Sequence, residues 1–243
     1  FCPSPTIAKQ QQVDTNKIAS YHNYNNGNHS CQITEGVFMR YEAILFDLDG
    51  TLTDSYEGIT RCVEYALQQC GIPVEDRSSL RCFIGPNLMD SFQQFYGMDE
   101  EQAAFAVEQY RQRYRDTGIY ENALYPGIRE CLEHLKEKGL LLAIASSKPA
   151  VFVKRILDYF QIAHLFDVVV GTELEGRILN KPQLIARARD LLGCSDCVMV
   201  GDRSMDAVGA QQNQVDFIGV TYGFGGYGEL SEYPHVFLAD DVE

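Results

Sequence analysis

The sequence predicts an α/β protein: a three-layer α/β/α core around a mainly parallel sheet, with a helical domain inserted after the first strand. Three observations carry this. Short apolar runs alternate with helical stripes from residue 41 onward. The helices between those runs have start and stop residues at their ends. One stretch, 56–124, breaks the alternation and reads as helical throughout. At 243 residues, with 45% hydrophobic and 22% charged residues, the chain has enough material for one core and an insertion.

Residues 1–38 differ in composition from the remainder of the chain. They hold Gln10, Gln11, Gln12 and an Asn-rich tract over 21–30, show no sustained period, and have charges that cancel (Lys9 and Lys17 against Asp14 and Glu35). They are expected to be a disordered or extraneous N-terminal extension. The core is expected over 39–55 and 125–243, and the helical insertion over 56–124. The first strand is the apolar run 43–46, stopped by Asp47 and the turn signal Asp49-Gly50. Inside the insertion, Ile59, Cys62, Val63, Ala66, Leu67 and Cys70 form one helical stripe, and 100–115 forms a further helix. A helix carrying Ile128, Cys131, Leu132 and Leu135 follows Pro126 and ends at Gly139. Another, with Leu184, Ile185, Ala188, Leu191 and Leu192, follows Pro182 and ends at Gly193. The remaining strands are expected at 140–145, 166–170, 197–200, 217–220 and, shortest, 236–238. Strands alternating with helices in this way imply a parallel sheet covered on both faces, a Rossmann-like arrangement.

Charge and composition exclude several functions. The net charge of 20 − 34 = −14 opposes non-specific binding to nucleic acid or to an anionic membrane. It leaves room for a small phosphorylated ligand, which needs only a local cation. No run of eighteen apolar residues occurs, so no membrane-spanning helix is expected. Eight cysteines without framework spacing read as reduced thiols, and the expected compartment is the cytoplasm.

Ligands of an open parallel sheet gather at the carboxyl ends of its strands. Here those ends carry Asp47-Leu48-Asp49-Gly50-Thr51, Ser146-Ser147-Lys148 and Gly201-Asp202-Arg203-Ser204-Met205-Asp206, while Lys181 precedes a helix start. Four carboxylates at one rim repel one another, each pair at ~5 Å by about 3 kcal/mol at an effective dielectric of ~20. Either their pKa values rise or a cation sits among them, and an all-oxygen set suits Mg²⁺. Asp206 follows Asp202 by four residues, so on a helix beginning there both face one ion. Any one of these aspartates alone would be an ordinary cap or turn residue. The string Asp-x-Asp-Gly-Thr, however, has a chance expectation of about 10⁻³ in a chain of this length.

These residues resemble the motifs of the haloacid dehalogenase-like hydrolases. The run Asp47-Leu48-Asp49-Gly50-Thr51-Leu52-Thr53-Asp54-Ser55 is similar to the first motif, Ser146 to the second, Lys181 to the third, and Gly201-Asp202 with Asp206 to the fourth. The insertion stands where this family carries a small helical cap. Phe83-Ile84-Gly85-Pro86, Tyr125-Pro126-Gly127 and Gly219-Val220-Thr221-Tyr222-Gly223 resemble the phosphoglycolate phosphatase-like branch, whose relatives include 5′-nucleotidases. The resemblance implies a Mg²⁺-dependent phosphomonoester hydrolase working through an aspartyl-phosphate. Asp47 would be the nucleophile and Asp49 the acid and base. Ser146, with Gly50, Thr51 and Ser147, would hold the phosphoryl oxygens, and Lys181 would balance charge. Asp47, Asp49 (by its carbonyl), Asp202 and Asp206 would hold the metal. Its partner would be a small phosphorylated metabolite, with phosphoglycolate first and nucleoside 5′-monophosphates second; no nucleic acid or membrane partner is expected, and the chain would be a monomer or homodimer. Alternatives from the same resemblance are a sugar-phosphate mutase and a non-catalytic phospho-ligand-binding module. Asp49 speaks against dehalogenation, since a halide leaving group needs no proton.

Two departures stand out. The stretch before Lys181 reads Gly176-Arg177-Ile178-Leu179-Asn180, with its arginine displaced by one place, and Asn87 stands where a second proline is common. The segment 83–88 is expected to face the substrate from the cap. Other signals point to structure. Cys194-Ser195-Asp196-Cys197 lacks partner ligands for zinc, Phe224-Gly225-Gly226-Tyr227-Gly228 reads as a loop, and Tyr110 and Tyr114 are spaced as a packing face of one helix.

Overall fold

A computed structural model describes residues 41–174 and 179–242; the extension 1–38 and Gly176, Arg177 and Ile178 lie outside the described residues. The first apolar run forms β1 (Ala43–Phe46), buried along its whole length. It is followed in the main sheet by β4 (Leu141–Pro149), β5 (Val168–Thr172), β6 (Cys197–Gly201), β7 (Asp216–Val220) and β8 (Phe237–Ala239). Every neighbouring pair is parallel, in the order β5-β4-β1-β6-β7-β8. This is the doubly wound Rossmann order, and the direction of winding reverses between β1 and β6.

All six expected strands are present; β1 has the expected bounds, three others differ by one residue at one or both ends, and two are shifted further. The run 140–145 continues to Pro149, with a register irregularity after Ala145. The run at 166–170 starts later, because Phe166 closes the 3₁₀ turn Ala163–Leu165 before the strand begins. Alternate residues of the central strands go to opposite faces, and both faces are covered. On one, Ala43, Leu45, Ala143, Ala145 and Met199 pack with Leu184, Ile185, Ala188, Ala207 and Ala210. On the other, Ile44, Leu142, Ile144 and Val198 have no exposed surface.

The helices begin where the turn chemistry places them. In α6 (Lys181–Leu192), Asn180 caps Gln183 N–H and is capped in return, Pro182 stands in the first turn, and left-handed Gly193 ends the helix. Helix α4 (Ile128–Glu137) buries the expected Ile128, Leu132 and Leu135. Between β4 and β8 lie α5 (Ala150–Tyr159), α7 (Ser204–Gln212) and the short α8 (Gly226–Leu230).

The segment after β1 contains α1 (Tyr56–Gln69), a 3₁₀ turn (Arg77–Phe83), α2 (Leu88–Tyr96), α3 (Glu100–Asp116) and a second 3₁₀ turn (Gly118–Tyr120). Asn87, the departure noted in the sequence, caps α2 by accepting from Met89 N–H. The stretch is not helical throughout. β2 (Thr53–Asp54) and β3 (Ala123–Leu124) pair antiparallel where the chain leaves and re-enters the core. Two residues are too few to show a period, so this ribbon has no sequence signature. Its ends are drawn together by Gly58, whose N–H meets Glu121 O at 3.0 Å. A Cβ on Gly58 would lie 2.2 Å from Gly118 O.

Candidate active site

Register brings the strand ends level. Phe46 stands opposite Ile144 on one side and Val200 on the other, so Asp47, Ser146 and Asp202 all fall just past the same edge. Asp47 N–H still donates to Val200 O at 2.9 Å, which fixes the nucleophile candidate at the winding reversal between β1 and β6. The loop beyond turns sharply at Gly50, whose φ of +88° and close approach to Asp202 (2.1 Å from a hypothetical Cβ to Oδ2) exclude a side chain.

Asp47, Asp202 and Asp206 each offer a carboxylate oxygen, all within 4.8 Å of one another, and all three residues are buried. Lys181 Nζ lies 2.8 Å from Asp47 and 2.8 Å from Asp206, and also donates to Ala145 O at 3.0 Å. Burial opposes its charge, but Asp206 and Asp47 outweigh that and hold the ammonium above the usual lysine range. Asp202 is pushed well above the carboxylate range by burial first, then by the charges of Asp206 and Asp47, against a 2.7 Å hydrogen bond from Phe224 N–H. Asp206 is pushed up to about 6 by burial, with Lys181 opposing and Asp47 assisting. It also caps α7 by accepting from Arg203 N–H at 3.0 Å. Three buried, mutually repelling carboxylates answered by one lysine make a donor set that fits a hard divalent cation such as Mg²⁺.

Asp49 takes a different partner. Its Oδ2 meets Lys148 Nζ at 2.5 Å, while its Oδ1 is buried without a hydrogen-bond partner. Burial opposes the Lys148 charge, but Asp49 and then Tyr114 outweigh it and raise its pKa. Thus the Asp49 side chain stands outside the metal-type cluster, and only its main-chain carbonyl remains for the role expected of it there. Ser146 is buried and accepts from Lys148 N–H at 3.3 Å; Ser147 is half-buried beside it. Thr51 reaches Asp202 at 3.5 Å.

A cavity of about 270 Å³ opens from Asp47, Asp49, Ser146, Ser147 and Lys148 toward the helical segment. Its far wall includes Phe83, Gly85, Pro86, Asn87, Leu88 and Met89, the segment expected there from the sequence. It also includes Tyr110 and Tyr114, whose rings stack at 5.3 Å and which sequence spacing assigned to packing alone. Both readings hold, since the two residues are buried in the core and also wall the cavity. Lys148 is the site residue that sequence reasoning left without a role; its place directly after Ser146-Ser147 at a strand end was the available signal. Two arginines tie the helical segment to this rim. Arg81 donates to Gly223 O (3.0 Å) and Phe224 O (3.2 Å), and Arg203 donates to Ile84 O at 2.5 Å while pairing with Glu229 at 3.2 Å.

With this geometry in place, the chain can be compared with known proteins. The family model for haloacid dehalogenase-like hydrolases matches residues 44–220. A Pseudomonas aeruginosa protein named 5′-nucleotidase is 47% identical over 205 residues, covering 83% of this chain and 93% of that protein. A phosphoglycolate phosphatase of Aliivibrio fischeri is 31% identical over 217 residues, covering 85% of this chain and 96% of the relative. A crystal structure of a predicted phosphatase from Clostridium acetobutylicum superposes with a TM-score of 0.80 at 46% identity, over 83% of this chain and 94% of that one. Fold, strand-end aspartates and relatives agree: the chain belongs to the haloacid dehalogenase-like hydrolases, and it is a phosphatase.

Proposed function

We propose that this phosphatase hydrolyses small phosphomonoesters with Mg²⁺, through an aspartyl-phosphate on Asp47. The observation that carries the reading is the Asp47 carboxylate, buried at the winding reversal, 2.8 Å from Lys181 and within 4.8 Å of Asp202 and Asp206. A carboxylate oxygen of Asp47 attacks phosphorus as the ester P–O bond breaks, and Asp49 gives the leaving oxygen its proton. The reading that Oδ1 of Asp49 makes that transfer is supported by its lack of a hydrogen-bond partner while Lys148 holds Oδ2. Water then attacks the phosphorus of the acyl phosphate, Asp49 takes back a proton, and Asp47 returns as carboxylate. Ser146, with main-chain N–H groups near Gly50, Thr51 and Ser147, orients the phosphoryl oxygens. Lys181 keeps compensating charge beside Asp47. Asp202, Asp206, Asp47 and the Asp49 carbonyl would hold Mg²⁺, which neutralises the dianion and polarises its oxygens.

Among small phosphorylated metabolites, the cavity favours a leaving group with an apolar face. Phe83, Leu88, Val107, Tyr110, Tyr114 and Phe152 line it, and a nucleoside can cover such a wall where a two-carbon acid cannot. The 47% identical relative named 5′-nucleotidase points the same way. Phosphoglycolate, expected first from the sequence, becomes the second reading, supported by the 31% identical relative. The test is phosphate release from nucleoside 5′-monophosphates, phosphoglycolate and sugar phosphates, with and without Mg²⁺, and with Asp47→Asn. Mg²⁺-dependent release lost in the variant is expected. Release that survives Asp47→Asn or needs no metal would overturn the mechanism, and an isomerised sugar phosphate without free phosphate would indicate a mutase.

A further inference from the structure

A second, smaller cavity of about 210 Å³ adjoins the first, sharing Arg111 and Phe152 with it. It is lined by Glu108, Arg111 and Arg115 of α3, Val151 and Arg155 of α5, and Leu174 after β5. In a chain of net charge −14, three guanidinium groups around one carboxylate are an unusual gathering. Among the described residues none of the three is in an ion pair. Three other arginines of the inserted helical segment are paired, Arg61 with Glu57 and Glu121, Arg77 with Glu57, and Arg113 with Glu121, while Arg81 donates to main-chain carbonyls.

Two of the three, Arg111 and Arg155, are held in place by neutral groups instead, and Arg115 is exposed. Arg155 donates to Arg115 O at 2.9 Å and to Tyr120 OH at 3.1 Å, and its guanidinium stands 5.7 Å from the Tyr120 ring centre. Arg111 donates to Leu174 O at 3.2 Å. Neutral acceptors fix a guanidinium without cancelling its charge and use only one or two of its five donors. Arg111 and Arg115, four apart on one helix, repel each other and weaken α3 unless an anion lies between them and Arg155. Among the described residues that line this cavity, three cations stand against one carboxylate, Glu108, a local excess of two positive charges that suits a phosphate dianion, and arginine forks fit its oxygens two at a time.

We propose that Arg111, Arg115 and Arg155 form a second anion site, for a phosphate group, at the outer end of the catalytic cavity. Two sources share that chemistry: a distal phosphate on a substrate lying across both cavities, or a separate phosphorylated effector. Only the first source rests on the catalytic reading above.

The test is calorimetric titration of the full chain with inorganic phosphate and with pyrophosphate in EDTA, where the metal-free aspartates repel anions from the catalytic end. One binding event is expected, kept in Asp47→Asn. It should weaken about tenfold or more in the double variant Arg111→Gln/Arg115→Gln, and in Arg155→Gln, as expected for loss of charged hydrogen bonds. Arg187→Gln, an exposed site with the same single charge change as Arg155→Gln, should leave it intact. Glutamine keeps helix propensity, so the double variant is expected to fold, which its melting curve checks. Absence of binding, or equal binding in the folded double variant, overturns the site. Turnover then separates the sources. A distal-phosphate site raises KM for a nucleoside bisphosphate but not for an aryl monophosphate in the double variant. An effector site changes neither KM while calorimetric binding is lost. If no substrate is turned over at all, the calorimetry still decides the site.

Discussion

Asp49 and Lys181 show how one side chain's partner sets its chemistry. If Oδ1 of Asp49 delivers the proton, Asp49→Asn should lower kcat by about 10²–10⁴ for alkyl phosphomonoesters and by much less for an aryl ester whose leaving oxygen needs no proton. Steady-state rates on the two substrate types check this, and an equal loss on both would contradict the assigned role. Lys181 is buried between two carboxylates. Lys181→Met leaves both without a counter-charge, and should cost about 3–5 kcal/mol in denaturant unfolding with EDTA, part of it recovered on adding Mg²⁺. That Asp47, Asp49, Ser146, Lys181, Asp202 and Asp206 would gather at one rim was legible because each lies near the end of an apolar run or in the first turn of a helix. The pairing of Lys148 with Asp49 was not, because it joins residues 99 apart.

At the scale of elements, the site depends on loops held by the helical segment. Arg81 grips the carbonyls of Gly223 and Phe224, and the Phe224 N–H holds Asp202. Arg81→Gln should therefore weaken Mg²⁺ binding about tenfold, as when an outer hydrogen-bond partner of a metal ligand is removed. Because Arg81 is exposed, the melting temperature in EDTA should hardly change. Calorimetry with Mg²⁺ measures the first effect and thermal unfolding the second; unchanged affinity would mean the loop needs no such grip. The strands and capped helices were readable in order, since apolar runs, Pro starts and Gly stops are local signals. The β2–β3 ribbon was not, because four residues brought together by chain closure carry no periodic pattern.

For the whole molecule, the cluster makes metal binding and stability depend on pH. The folded-state pKa of Asp206, about 6, lies above its ordinary value of 3.8, so the metal-free fold holds this proton more tightly than the unfolded chain does. Its contribution is complete below the ordinary value and is lost as pH rises through about 6. Mg²⁺ binds the deprotonated form, so the gain in melting temperature on adding Mg²⁺ should grow as pH rises through about 6. Melting curves at saturating Mg²⁺ and in EDTA across that range test it; a gain independent of pH would mean that Asp206 is not a ligand. By itself the sequence determined the α/β class, the order of strands and helices, the place of the helical segment and the aspartates at the strand ends. These rest on local periodicity and turn chemistry, which a chain carries in any context. Only the tertiary structure decided that β6 lies beside β1, that Lys148 serves Asp49, that Tyr110 and Tyr114 wall a cavity, and that three arginines from two helices share a cleft. Those depend on which distant segments meet once both faces of the sheet are buried, and no local pattern specifies that.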